Sequence, residues 1–187
     1  MTHTASRYVT RAIDVAAGAA RSFWYRHVYL SWISFGRNVT FAGPIRCAGV
    51  TGTMEIGDRT FLGPNITLAV AEGGQLRLGR DVSVNQGTIL SARQTVSIGD
   101  GTRIGDGCSI RDSDHRIDLD LPILESGYLV RPVSIGNTVW IGRHVTILPG
   151  VTIGDGAVIG AHSLVNRDIP AKALAFGTPA RVHRMLP

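Results

Sequence analysis

Aromatic residues are scarce in this chain, 6% of 187 residues, while 44% are hydrophobic. One domain with a sizeable core is expected from that length, but a core with so few rings must be made of many small aliphatic contacts, which stacked Ile, Val and Leu supply. Cysteine is also sparse. Cys47 and Cys108 have no CxxC partner and no metal-ligand spacing, so they are read as core filler and no disulfide is expected. There is no Lys/Arg block with interleaved aromatics, which argues against a nucleic-acid groove despite a formal charge of +5. That charge and a pI near 9.9 favour an anionic ligand or surface, and a phosphate-bearing cofactor accounts for them. The apolar stretch around residues 12–20 is interrupted by Asp14 and followed by Arg21 and Arg26. Neither a secretory signal nor a membrane-spanning helix is expected there, and the location read from this is cytoplasmic.

What the sequence does have is a repeat. Residues 135–166, cut into sixes, read IGNTVW, IGRHVT, ILPGVT, IGDGAV, IGAHSL and VN. Each unit has an aliphatic residue first, usually Gly second, and a small or β-branched residue fifth. Such a unit is one short strand plus a turn. It cannot bury its apolar side alone and must stack on copies of itself, which builds a parallel β-helix. First and fifth places are expected to face inward, and the second to sit at a corner where Gly tolerates an unusual backbone.

The frame starts with Phe35, Phe41 and Cys47 and resumes, after extra residues, at Ile56, at Leu78 and at Ile98; past a long interruption it runs from Ile135 to Val165, giving 18 units. At three units per turn these make six coils, a prism on the order of 25–30 Å tall at a strand spacing of ~4.8 Å. Among fifth-place residues only Glu72, Gln94 and Asp114 break the pattern, and they mark where the chain is expected to leave the prism. The expected organisation is an N-terminal amphipathic helix or cap over 1–34, a β-helix over 35–170 with a loop excursion at 111–134, and a C-terminal tail over 171–187. Within 7–33, Ile13, Ala17, Ala20, Trp24 and Val28 recur at helical spacing. Such a helix caps the open end of the solenoid, lies on a membrane surface, or does both, since Arg7, Arg11, Arg21 and Arg26 accompany Phe23, Trp24, Tyr25, Tyr29 and Trp32.

Over about residues 56–184 the chain resembles the hexapeptide-repeat O-acetyltransferases, which include galactoside, maltose, nodulation-sugar and polysaccharide acetyltransferases. Most specific is PVSIGNTVWIGRHVTILPGVTIGDGAVIGAHSLVNRDIPAKALAFGTPARVHR, residues 132–184. The resemblance implies a left-handed β-helix, a homotrimer with each cofactor between two prisms, acetyl-CoA as donor with no metal, and a carbohydrate or glycoconjugate hydroxyl as acceptor. It also implies a catalytic His in the excursion, where His115 matches the general base of a direct attack without an acyl-enzyme. An imidazole that is neutral near pH 7 suits that task. Asp112 or Asp114 would orient His115 or simply form the turn.

The surrounding Asp112-Ser113-Asp114-His115-Arg116 departs from the Gly-His-Pro of the sugar enzymes and looks more like the polysaccharide-modifying branch. Asn85 matches an acceptor contact, with a left-handed structural corner as its alternative. Arg93 departs from an acidic acceptor contact in related sugar enzymes. Trp140 matches a residue beside the pantetheine arm, Gly142 a backbone N–H donor to the thioester region, and Ala161 a backbone contact to pantetheine. Arg167, Arg181 and Arg184 match basic positions at the nucleotide end.

Two other classes compete. His144 and His162 lie one coil apart, which raises a γ-type carbonic-anhydrase-like zinc enzyme with three His ligands, although the close His pair expected of that type is missing. The remaining alternative is a non-catalytic β-helix scaffold.

Overall fold

The computed structural model describes residues 17–25, 27, 30 and 33–187. From Ser34 the chain winds as a parallel β-helix of six coils, and each coil gives one short strand to each of three sheets. The first face runs from Ser34–Phe35 to Thr152–Ile153, the second from Thr40–Phe41 to Val158–Ile159, and the third from Ile45–Cys47 to Leu164–Val165. Register follows the repeat, with Ile141 beside Ile159 on the second face and Ile147 beside Val165 on the third. First-place Leu62, Leu68, Leu90, Ile104, Ile110 and Ile141 are fully buried along the axis. Thr60, Thr88 and Thr102, at buried fifth places, donate their hydroxyls to the carbonyls of Gly79, Gly105 and Gly136. A polar atom is thus tolerated inside because the next coil accepts its proton.

The corners differ from the sequence expectation. Left-handed backbone falls on the fourth place of most units, as at Asn65, Gly87, Gly107, His144 and His162, and not on the second. Second-place Gly is needed for closeness instead. A Cβ on Gly105 would lie 2.6 Å from the amide nitrogen of Arg143, and one on Gly142 would lie 2.6 Å from that of Ala161. This crowding affects two of the prism's three edges. At the edge leading from the third face to the first, second places are Ala48, Ala69, Ser91, Arg111, Leu148 and Asn166.

All four frame interruptions fall at that roomier edge. In the first three the chain does not leave the prism. The strands Thr53–Ile56, Ile66–Val70, Gln75–Leu78, Ile89–Ala92 and Thr95–Ile98 extend past the frame and keep alternating, which buries Met54, Val70, Leu76, Ala92 and Val96. Only the fourth interruption projects, as an antiparallel pair of Ser113–His115 with Tyr128–Val130. Thr51, expected inside, is exposed at the first interruption.

At the edge between the first and second faces, third-place side chains tie coil to coil. The N–H of Arg37 donates to Asp58, that of Arg80 to Asp100, that of Asp100 to Asn137 and that of Asn137 to Asp155, at 2.7–2.9 Å. The Asp of the IGD triplets at this edge, Asp58, Asp100 and Asp155, is therefore an inter-coil cap.

Residues 17–24 form a helix over the first coil. The N–H of Phe41 donates to Ser22 Oγ (3.0 Å) and that of Ile45 to the Tyr25 hydroxyl (3.1 Å), while Tyr25, Leu30 and Ile33 join the core. This is a cap, but through a different helix face from the one expected. An open sheet edge offers unpaired backbone groups, so Ser22 and Tyr25 face it, while Ala17, Ala20, Phe23 and Trp24 face outward. Ile13, Val28, Arg7, Arg11, Arg26, Tyr29 and Trp32 lie outside the described residues. At the other end the expected tail continues the second face, where Ala173–Gly177 pairs with Val158–Ile159 and folds back on Ala180–Met185.

Candidate active site

A groove of about 490 Å³ runs along the second face and its edge with the third. Asn85, Trp140, Gly142 and Ala161 line it together with Arg143, Val158 and Leu174. Trp140 points outward from its strand and is exposed, forming an aromatic wall. Asn85 does not hold left-handed backbone, so the corner alternative fails and its carboxamide borders the groove.

Gly142 does not offer a free donor. Its N–H is engaged by the carbonyl of Ile159 at 2.8 Å, so the oxyanion-donor role drawn from the resemblance is corrected. The amides of Arg143 and Ala161 are different, because neither donates to any group among the described residues. The reason lies in the repeat. The third-place N–H of one coil is capped by an Asp or Asn one coil later at the other tight edge, but at this edge residue 161 is Ala and has no acceptor. With the amide of Asp106, which likewise donates to nothing among the described residues, three backbone donors are left along the groove, suited to a carbonyl or an anion. Behind them burial pushes the Cys108 thiol above its ordinary range, and its Sγ donates to the carbonyl of Gly142 at 3.1 Å. Cys108 is core filler, not a nucleophile.

Arg181 and Arg184 sit exposed on the strand that borders the second face at its C-terminal end. Arg167 follows the last strand of the third face and is exposed there. His115 lies elsewhere, exposed on the projecting hairpin beyond the third face. One chain therefore brings Asn85, Trp140, Gly142 and Ala161 together but leaves His115 on another edge of the prism.

The imidazole of His115 packs on Tyr128, directly across the hairpin, with ring centroids 4.5 Å apart. The guanidinium of Arg93 lies over the same Tyr128 ring, 3.3 Å from its centroid. No hydrogen bond or ion pair joins His115 to Asp112 or Asp114 among the described residues. Asp112 is fully buried and accepts the N–H groups of Arg93 (2.8 Å), Gln94 (2.7 Å) and Thr95 (2.8 Å), so it forms the turn and does not orient the imidazole. His144 and His162 do stack, with centroids 5.0 Å apart. No group of three His, Cys, Asp or Glu side chains able to hold a metal occurs among the described residues.

Sequence reasoning missed Arg143, Val158 and Leu174 in the groove and Tyr128 beside His115. Arg143 was findable, since the third place one coil after it is Ala161, which carries no acceptor. Tyr128 follows a loop with no repeat frame and left no signal.

Residues 132–167 match the family model for the bacterial transferase hexapeptide (six repeats). WbbJ of Escherichia coli, assigned as an O-acetyl transferase of lipopolysaccharide biosynthesis, is 32% identical over 143 residues, covering 70% of this chain and 71% of that protein. The galactoside O-acetyltransferase of E. coli is 37% identical over 129 residues, 69% of this chain, and the match spans only 62% of that enzyme's length. Among solved structures, a hexapeptide-repeat acetyltransferase of Vibrio cholerae in complex with acetyl coenzyme A superimposes with a TM-score of 0.58 at 25% identity, covering 90% of this chain and 78% of that one.

Proposed function

The chain belongs to the bacterial hexapeptide-repeat acetyltransferase family, and we propose that it transfers an acetyl group from acetyl-CoA to a carbohydrate hydroxyl in the synthesis of a cell-surface glycoconjugate. The observation that carries this reading is the groove of the second face, with Trp140 as its wall and the unspent amides of Arg143 and Ala161 along it. It is long and mostly apolar, with donors at one edge, as an extended thioester arm requires. Arg181 and Arg184 are the phosphate-facing charges at the C-terminal end of that face, and Arg167 is a third basic contact for the nucleotide end. Asn85 hydrogen-bonds the acceptor, and Gly142 contributes close backbone approach.

His115 is the general base. It takes the proton of the acceptor hydroxyl as that oxygen attacks the thioester carbonyl, an amide in the groove holds the developing oxyanion, and CoA leaves as thiolate. Because His115 and the groove lie on different edges, the active unit is a homotrimer in which the hairpin of one copy meets the groove of the next. The hairpin loop is suited to such a contact, exposing Ile117, Leu119 (95%) and Leu124. Release of CoA thiol from acetyl-CoA with sugar acceptors tests the activity. His115→Ala should lower turnover by about 10²–10⁴-fold with acetyl-CoA affinity nearly unchanged, and near-normal turnover would remove His115 as the base.

The N-terminal helix supports a second contact. Its cap face is the polar one, and Phe23 (65%) and Trp24 (47%) point to solvent. No helix among the described residues is long and apolar enough to cross a membrane. A peripheral contact with an anionic membrane at the cytoplasmic face uses this exposed face, with the Arg residues of the N-terminal sequence supplying the charge.

A further inference from the structure

We infer that Arg93 reads a negative charge on the acceptor, so that the sugar acetylated carries a carboxylate or a phosphate. The inference rests on His115 being the base, and four observations support it. Arg93 is held at both ends. Its N–H is tied at 2.8 Å to the buried carboxylate of Asp112, and its guanidinium carbon lies over the Tyr128 ring, 3.3 Å from the centroid. Its charge is unspent. Arg37, Arg59, Arg77 and Arg80 pair with Asp58, Asp81, Glu55 and Asp100, whereas Arg93 has no carboxylate partner among the described residues. A guanidinium stacked on a ring keeps its N–H fork in plane and free, the geometry that matches the paired oxygens of a carboxylate or phosphate.

There is also room beside it. A shallow cavity of about 230 Å³ borders Arg93, walled by Ala48, Gly49, Ala69, Ala71 and Ser91. These are the small side chains of the one roomy edge, the same edge from which the hairpin projects. Finally, the spacing fits. Tyr128 touches both the guanidinium, at 3.3 Å, and the imidazole, at 4.5 Å, so the two heads are separated by no more than one hexose ring and its exocyclic group can bridge. A hydroxyl at His115 then puts a charged substituent of the same residue at Arg93. Asp114 does not cancel that charge, because strand alternation points it to the hairpin face opposite His115 and Tyr128.

The test is ligand-observed saturation-transfer NMR on the full chain loaded with CoA, using methyl glucuronide and glucose 6-phosphate against methyl glucoside as the neutral probe. We expect at least one anionic probe to bind at least tenfold more tightly than the glucoside. Arg93→Gln should abolish that preference and Arg93→Lys should keep part of it. The glucuronide and the phosphate arms distinguish which anion is read. Equal binding of charged and neutral probes, no binding of either anionic probe, or an unchanged preference in Arg93→Gln overturns the proposal. CoA binding in the same samples reports that each variant is folded. Its presence with a failed sugar preference sinks this inference alone, whereas its absence in the wild type sinks the acetyltransferase reading.

Discussion

Asp112 gives the sharpest test of how the hairpin is held. Its carboxylate is fully buried and takes three backbone N–H groups at 2.7–2.8 Å. Asp112→Ala leaves those donors without their acceptor in a partly buried corner. Hydrogen bonds to a charged group are each worth about 1.5–3 kcal/mol net. They are not additive here, because the buried carboxylate's own desolvation cost disappears with it. Each neutral donor left unsatisfied costs about 1–3 kcal/mol where it is buried, and three of them, offset by the relieved desolvation, put the net loss at about 3–5 kcal/mol. For a chain of this size each kcal/mol lowers Tm by about 2–4 °C, so a fall of roughly 6–20 °C is expected. Asp112→Asn keeps an acceptor oxygen but turns an amide toward three donors, and should fall in between. Thermal melts at fixed protein concentration measure this, since assembly would otherwise move Tm. Amide exchange should accelerate first at residues 93–95 and 113–115. A loss below about 2 °C for the Ala variant, less than one kcal/mol, would refute the anchoring role.

Three further outcomes follow from the same structure. Leu119→Asp with Leu124→Asp should shift sedimentation from trimer toward monomer and lower turnover with it, and an active monodisperse monomer of the wild type would retire the shared site. The guanidinium groups of Arg59 and Arg80, by hydrogen bond and charge, hold Asp81 and Asp100 below the ordinary carboxylate range. Carboxylates depressed on folding stabilise above their unfolded pKa of about 4, and that contribution is lost as pH falls through the folded value, so Tm should drop below about pH 4, less steeply in Asp81→Asn with Asp100→Asn. Both acids are about half-exposed, in ion pairs on the surface, so the effect should be modest and shrink with salt. The full chain should float with anionic liposomes at low salt and release at high salt, and Phe23→Asp with Trp24→Asp should abolish flotation; no binding at low salt ends the membrane contact.

The coil count, the inward first and fifth places and the position of the projecting loop were all legible in the period-six pattern, because burial along the axis acts on every unit alike. What stayed hidden depended on contacts between coils. The pattern shows that Gly is wanted at second places but not why, and closeness to the next coil, as at Gly105 beside Arg143, replaces the expected left-handed corner. Extra residues after Cys47, Leu68 and Leu90 read as departures from the prism, yet the longer strands stay in it because that edge does not need Gly. For the N-terminal helix, apolar spacing selected Ala17, Ala20 and Trp24, while the backbone groups of the sheet edge selected Ser22 and Tyr25. A hydrophobic periodicity cannot report unpaired amides on its target.

The candidate chemistry sits where the repeat breaks its own rules, and the physical reason is the same each time. Where a third-place Asp or Asn accepts the amide of its neighbour, as between Asn137 and Asp155, that corner has nothing left to offer a ligand. Ala161 removes that cap, and the amide of Arg143 opens into a groove. Asn85 takes a second place that Gly usually holds, and it brings a carboxamide to the same groove. Asp112 takes an inward place where the coil before has Ala92, and the charge it buries is matched by the turn that carries Arg93. In a scaffold whose coils otherwise satisfy one another, each such substitution leaves a donor, an amide or a guanidinium unspent, and those unspent groups are what a thioester and a charged sugar would bind.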